Sequence, residues 1–444
     1  MILRYALIVS TIILGIAILW RYVFTDPFSN EEDEVVAEFE RWLPKVNLVT
    51  SGVKIRMTDY GIKGLFATRD LKQGHLIIDA PMESLIPENL ESDDPIIQKA
   101  QKILSDNRLL GVILYQEAKR NNSKFAPYLN SLPTDFLTFA LFLQPKELEL
   151  INNTITYDLV DQHRRSIGNS YTQIISAIPE LNFTKEEYFL YFAHALSRCL
   201  GIMINNRKVH TMVPVFDMMN AHSPERPDRH MVRTYFTTQG GPRIHVRTTK
   251  AIRAGEEIYN MYDPRFTNTD YLIDYGFVFP ELNTVKLKFV FDYLEIDWNK
   301  NEKIAILRKI ENVEVYNEQA HVFIKNSGNK AQYMSLYSAV RVIYYRTDGN
   351  MSKIDKDLTE NKEKQVPFID YYNEREAMKA IADYCAGKLK HFPSTTDQDE
   401  LLLKIITPYT TRYNLIKLRN DERRVLNQLY TETYSRYKEM LKPE

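Results

Sequence analysis

The sequence predicts an α+β protein: a β framework split by a long helical insertion, followed by a helical tail and preceded by one apolar helix. Three observations carry this reading. Strand and turn signals fill residues 50–94 and return over 201–285, helical spacing occupies 95–200, and from 286 to 444 glycine becomes scarce while the pattern turns helical and charged. The expected divisions are an apolar anchor at 1–24, a polar linker at 25–49, two β parts at 50–94 and 201–285, the insertion at 95–200 between them, and an all-α domain at 286–444.

Composition narrows the function classes. The 444 residues are enough for two or three domains with a substantial core, and the mix of 44% hydrophobic and 26% charged residues is that of a globular protein. A formal charge of −1 supplies no global basic field, so nucleic acid is not an expected partner. Two cysteines, Cys199 and Cys385, build neither a disulfide framework nor a cysteine-cluster zinc site. His210, His222, His230 and His245 share one region, but their spacing matches no helical ligand pair, so no metal is expected.

The elements follow in order. "YALIVSTIILGIAILW" (5–20) carries no charge, and the apolar run continues to Phe24 with only Arg21 inside it. About 20 helical residues span a bilayer core of roughly 30 Å, and no small-residue cleavage site is evident. A single-pass membrane anchor and a membrane location are expected, with the side left open by one arginine at each end. Residues 31–46 read as a polar, helix-like linker. In "VKIRMTDYGIKGLFATRDLKQGHLIIDAP" (53–81), Gly61 and Gly64 punctuate turns, and Lys72-Gln73-Gly74 joins two strands. Ile96, Ile97, Ala100, Ile103 and Leu104 share one helical face. Thr184 and Glu187 form a capping box ahead of "KEEYFLYFAHALSRC". "NTVKLKFVFDYLEI" (283–296) alternates as a strand, and "EREAMKAIADYCAGKLK" and "DERRVLNQLYTETYSRYKEML" are the clearest helices of the tail.

Four segments carry candidate chemistry. "YGIKGLFATRD" places two glycines where backbone groups can approach a ligand, or simply in a tight hairpin. Arg198 ends an apolar helix and can clamp a carboxylate or complement the helix dipole. "VPVFDMMNAHS" (213–223) ends an apolar run in Asp217, Asn220 and His222, suited to a polar ligand tail or to a turn. "GEEIYNMYDP" (255–264) and "TDYLIDYGFVFP" (269–280) offer tyrosines and an aromatic face for a flat ring, or core packing. Tyr259 and Tyr262 differ by an odd number, so in extended chain they face opposite sides, and only one can enter a site.

In this order, "GLFATRDLKQGHLI", "FAPYLNSLP", "PVFDMMNAH" and "IRAGEEIYNMYDPR" resemble the SET-domain protein methyltransferases. The branch is that of the Rubisco large-subunit lysine methyltransferase, which includes the actin-histidine methyltransferase. The resemblance covers roughly residues 50–285, and the helical tail fits that branch's substrate-binding domain. It implies a knotted SET β fold, S-adenosyl-L-methionine as methyl donor, a protein substrate, and lysine or histidine as acceptor. Carried over, Gly61, Ile62, Lys63 and Gly64 approach the cofactor, and Arg198 holds its carboxylate. Asn220 holds its amino-acid portion, with Asp217, Ala221 and His222 also in the cofactor site. Tyr275, Gly276 and Phe277 lie against adenine, and Tyr262 is the catalytic tyrosine. Tyr259 then belongs to the core. The sequence departs from the family pattern where Ala221 separates Asn220 from His222 and where Asp263 follows Tyr262. A catalytically inactive SET-fold binding module is the alternative those departures suggest.

Overall fold

The structure is a computed structural model that describes residues 30–204, 206–292, 300–316, 319–326, 333–345, 351–360 and 365–441. Its strands, in chain order, are β1 (Val49–Thr50), β2 (Val53–Met57), β3 (Lys63–Ala67), β4 (Leu76–Pro81), β5 (Ile86–Pro87), β6 (Leu200–Ile204), β7 (Arg207–Met212), β8 (Val232–Thr237), β9 (Arg243–Thr248), β10 (Val285–Asp292), β11 (Val313–Tyr316) and β12 (Gln319–Asn326). They form small antiparallel sheets in the orders β1-β4-β9-β8, β2-β3, β5-β7-β6 and β10-β12-β11.

The two β parts are one framework. β4 pairs with β9, and β5 with β7, so strands before the insertion hydrogen-bond to strands after it. Alternation sets each register. In the β2–β3 hairpin Ile55 lies opposite Leu65, and both are buried. Residues 256–260 are then bonded on two sides. Ala67 N donates to Glu256 O and Ile258 N to Leu65 O, while Asn260 N donates to Asn220 O and His222 N to Asn260 O. This threading of a late segment against both β3 and the Asn220 loop brings distant motifs together.

Helices fill the insertion: Pro95–Ile103, Asp106–Lys119, Ile155–Ala177 and Lys185–Arg198. The expected capping box of Thr184 and Glu187 opens the last of these. One core cluster joins the sheets to this insertion through Leu65, Ile77, Leu110, Ile113, Val246 and Ile258. The segment read as a polar linker is also part of it. The helix Asn30–Trp42 buries Phe39 and Trp42, whose rings lie against Tyr128.

Two expectations are corrected. The tail is not all-α, because β10, β12 and β11 form a sheet at its start. Val285, Leu287 and Phe289 are buried on one side of β10, and Ala320, Val322 and Ile324 on β12. The transmembrane helix and single-pass membrane location are the second. Among the described residues no helix is long and apolar enough to cross a membrane. The longest, Thr411–Glu439 (29 residues) and Ile155–Ala177 (23 residues), carry charges along their length. The apolar stretch 1–24 lies outside the described residues.

The helix Thr411–Glu439 ties the tail to the framework. Glu422 is fully buried and accepts hydrogen bonds from Ile155 N, Thr156 N and the Thr156 hydroxyl. It thereby places a carboxylate on the N-terminus of Ile155–Ala177, where the helix dipole favours negative charge. The second core cluster contains Leu415, Leu418 and Leu426 from this helix together with Ile151, Ile155 and Leu272 from the framework side.

Candidate active site

Asn220 is the centre of the arrangement. It follows the turn Phe216–Met218, and its Nδ2 donates to the Lys63 carbonyl at 3.1 Å and to Glu257 Oε1 at 2.7 Å. The other oxygen of Glu257 accepts from the Tyr259 hydroxyl at 2.6 Å. Both amide hydrogens of Asn220 are therefore used, which turns its oxygen outward as an acceptor. Gly64 lies beside this group and has no room for a side chain. A Cβ there would stand 2.7 Å from Glu257 Oε1 and 3.1 Å from Asn220 Nδ2. The hairpin before it turns through Gly61, in the left-handed region at φ 73°, with Gly61 N donating to Thr58 O and Thr58 N to Ile62 O.

Arg198 ends its helix and reaches across to the Asn220 loop. Its Nη1 donates to the Asp217 carbonyl at 3.0 Å and to Asp217 Oδ2 at 3.3 Å. Tyr128, from "FAPYLNSLP", donates its hydroxyl to the same carboxylate oxygen at 2.7 Å. Burial pushes the Asp217 carboxyl up, and the Arg198 guanidinium opposes that. Burial also raises the Tyr128 hydroxyl well above its ordinary range, so it remains a donor. Two polar atoms here, Arg198 Nε and Asp217 Oδ1, are buried without a hydrogen-bond partner. Such atoms are uncommon in a folded interior, and these two could pair with a polar ligand group.

Tyr262 stands on the other side of the loop. Its hydroxyl donates to the Met219 carbonyl at 3.1 Å, and its ring lies 4.5 Å from that of Tyr275. Burial, the largest cause, holds its pKa up to about 12, with Arg198 pulling down and Asp217 and Glu257 pushing up. Donation to Met219 fixes the hydroxyl and leaves its oxygen lone pairs for a positively polarised group. Gly276 ends the helix Asn268–Tyr275 in the left-handed region at φ 79°, where a Cβ would fall 2.3 Å from Phe139. Phe277 packs beside Tyr275, Tyr271 and Phe279.

Two surface clefts lie away from Tyr262. One of about 550 Å³ is lined by Asp93, Lys99, Arg120 and Glu180, and one of about 770 Å³ lies behind β2 between Glu40, Val53 and Val215.

Comparison with known proteins decides the family. The SET domain model matches residues 63–263, and the Rubisco LSMT substrate-binding model matches residues 297–426. The chain is a SET-domain protein carrying the Rubisco LSMT substrate-binding domain. The ribulose-1,5 bisphosphate carboxylase/oxygenase large subunit N-methyltransferase of Nicotiana tabacum is 22% identical over 416 residues, 89% of this chain and 80% of the relative. The actin-histidine N-methyltransferase of Homo sapiens is 22% identical over 430 residues, 90% of this chain and 68% of the relative. The crystal structure of the SET domain of LSMT bound to lysine and AdoHcy superposes with a TM-score of 0.76 at 18% identity, covering 92% of this chain and 93% of that one. Rubisco LSMT bound to AdoMet gives 0.75 at 18% identity, with the same coverage.

In this SET-domain protein the candidate residues fall into three groups around one loop. Lys63 and Gly64 meet Asn220, Arg198 meets Asp217, and Tyr262 meets Tyr275 and, through it, Phe277. Ile62 is half exposed at the hairpin's end. Ala221 pairs by backbone with Asn260. The His222 ring turns away, its Nδ1 on the Ser223 carbonyl and its face toward His230, so only its backbone joins the threaded segment. Asp263 holds Arg265 at the surface. Sequence reasoning missed Tyr128, Glu257 and Phe139, while Tyr259 was expected in the core. Tyr259 is half-buried against the core and also steadies Glu257 with its hydroxyl. Its odd offset from Tyr262 is what placed it there.

Proposed function

We propose that the chain is an S-adenosylmethionine-dependent protein N-methyltransferase that acts on a lysine side chain of a non-histone protein. The observation that carries this is the joint presence of an oriented Asn220 oxygen, a side-chain-free Gly64 and an unpartnered Arg198 Nε around one loop. These fit an amino acid's ammonium and carboxylate. Asn220 and the Ile62–Gly64 backbone would hold the former and Arg198 the latter, with Tyr275, Gly276 and Phe277 against adenine. Bound there, the cofactor supplies a methyl group on a cationic sulfur, which leaves as a neutral thioether when a nitrogen takes the methyl.

The chain's own part is positioning and charge. The Tyr262 oxygen, fixed by its bond to Met219, would meet the cofactor's positive charge with a dipole already in place. Weak C–H···O contacts to such an oxygen help align a methyl group. Burial raises the Tyr262 pKa to about 12, which keeps the hydroxyl in its neutral, donating form. The acceptor must arrive uncharged, because a protonated amine has no lone pair. Lysine is supported by the LSMT structures with bound lysine and methyllysine. Histidine is the second reading, favoured by equally extensive similarity to the actin-histidine enzymes.

The test is to incubate the full chain with methyl-labelled S-adenosylmethionine and a protein extract, hydrolyse the product and identify the labelled residue. Methyllysine is expected. Methylhistidine overturns the acceptor, and absence of label overturns the enzyme. Rate against pH gives a second readout. A lysine acceptor makes the rate climb through about pH 9, whereas histidine levels off about one unit above its pKa of about 6.5.

A further inference from the structure

We propose that the start of the C-terminal helix is part of the cofactor site, with Tyr409 and Asn414 positioning its two walls. This rests on the S-adenosylmethionine reading above. The first wall is the β2–β3 hairpin, whose tip carries Tyr60 two residues before Ile62. The Tyr60 ring is 76% exposed and meets the Tyr409 ring edge-on, centroids 5.6 Å apart at 67°. Tyr409 has φ 66°, a left-handed backbone that is costly for an aromatic residue and persists where the surroundings enforce it. The enforcing element follows at once. Thr410 caps the helix Thr411–Glu439 by accepting from Tyr413 N.

The second wall is the turn at Gly276. Asn414, in the first turn of the same helix, is fully buried, and its Nδ2 donates to the Gly276 carbonyl at 3.2 Å. Three residues on, Lys417 Nζ donates to the Leu282 carbonyl at 3.2 Å and to Asn283 Oδ1 at 3.0 Å. One helix therefore grips the chain on either side of Phe277, while the residue before its cap touches the opposite hairpin. The two walls are more than 200 residues apart in sequence (Tyr60 and Gly276), and among the described residues no strand pairing joins them. The helix start sets their spacing. The substrate-binding domain thus holds the methyl donor's pocket in shape, and loosening it lowers cofactor affinity more than turnover at saturating cofactor.

The experiment is calorimetric titration of the full chain with S-adenosylmethionine and S-adenosylhomocysteine, with melting temperature measured in parallel. Tyr60→Ala and Tyr409→Ala are each expected to raise Kd about threefold, and the double variant no more than either single one, because they remove one contact. Tyr409→Phe keeps the ring and is expected to bind as wild type. Asn414→Asp is expected to weaken binding about tenfold at pH 8, where an ionised carboxylate faces the Gly276 carbonyl. Affinity should recover toward pH 5.5, where a protonated carboxyl can donate to it. Leu401→Ala, exposed on the neighbouring helix Thr396–Ile405, serves as control and is expected to leave Kd unchanged. Unchanged Kd in Tyr409→Ala and Asn414→Asp overturns the inference while leaving the cofactor reading intact. So does a loss of affinity that follows melting temperature and includes Tyr409→Phe. No binding by the wild-type chain overturns the cofactor reading, and this inference with it.

Discussion

Asn220 owes its direction to two acceptors, and Gly64 owes its identity to the space that direction leaves. The physical claim is that the Asn220 amide must lie flat between Lys63 O and Glu257, and that any Cβ at residue 64 intrudes on it. Gly64→Ala pushes the end of the Glu257 side chain, which can swing, so stability should fall by only about 1 kcal/mol. Cofactor affinity should fall at least tenfold, because the amide turns. Calorimetry and a denaturant curve check the two together, and equal affinity for wild type and variant contradicts the claim. Tyr262→Phe keeps the ring against Tyr275 and removes only the oxygen bonded to Met219. Turnover should drop about 10²-fold, the size seen when one preorganised polar group is removed. Cofactor Kd should stay nearly constant. A variant that turns over as fast as wild type removes Tyr262 from the reaction.

Among the elements, the helix Asn268–Tyr275 has a cost built into it. Asp270 and Asp274 are one turn apart on the same face, and like charges at that spacing oppose each other. Burial first, and Asp270 second, raise the Asp274 pKa from 3.8 to about 7, with Lys286 opposing. Folding therefore favours the protonated form. The unfolded chain releases this proton first, so stability falls as pH rises from about 4 to about 7 and then levels. Asp274→Asn should remove roughly 2 kcal/mol of the decline between pH 5 and pH 8, read as denaturant midpoints at both values. Identical declines in the two proteins would show that this carboxyl titrates normally. Strand elements show where the sequence spoke and was not heard. β11 and β12 alternate with period two, Val313 and Val315 then Ala320, Val322 and Ile324, yet the charged surroundings made the tail beyond 296 read as helical. The helix Asn30–Trp42 misled in the opposite way, since its acidic face hid the two aromatic residues, Phe39 and Trp42, that fasten it.

The whole molecule explains what was legible. Gly64, Arg198, Asn220 and Tyr262 stood out because each lies in a local motif, and their order in the chain was enough to name the family. Tyr128, Glu257 and Phe139 did not, because their roles exist only once segments 37 to 89 residues apart or more are folded together. The same holds for Glu422, which is an ordinary charged helix residue until Ile155 and Thr156 present their amides to it. Tertiary pairing across an insertion leaves no trace in spacing. The apolar stretch at 1–24 taught the converse, because hydropathy alone raised an expectation that none of the described helices supports.

The central claim is that the Gly64, Asn220 and Arg198 cradle holds S-adenosylmethionine. The most direct measurement is calorimetric titration of the full chain with that cofactor, alongside Asn220→Ala. The expected result is saturable binding in the micromolar range that weakens at least tenfold in the variant, whose melting temperature stays close to wild type. A folded wild-type chain that takes up no cofactor, or an Asn220→Ala variant that binds as tightly, contradicts it.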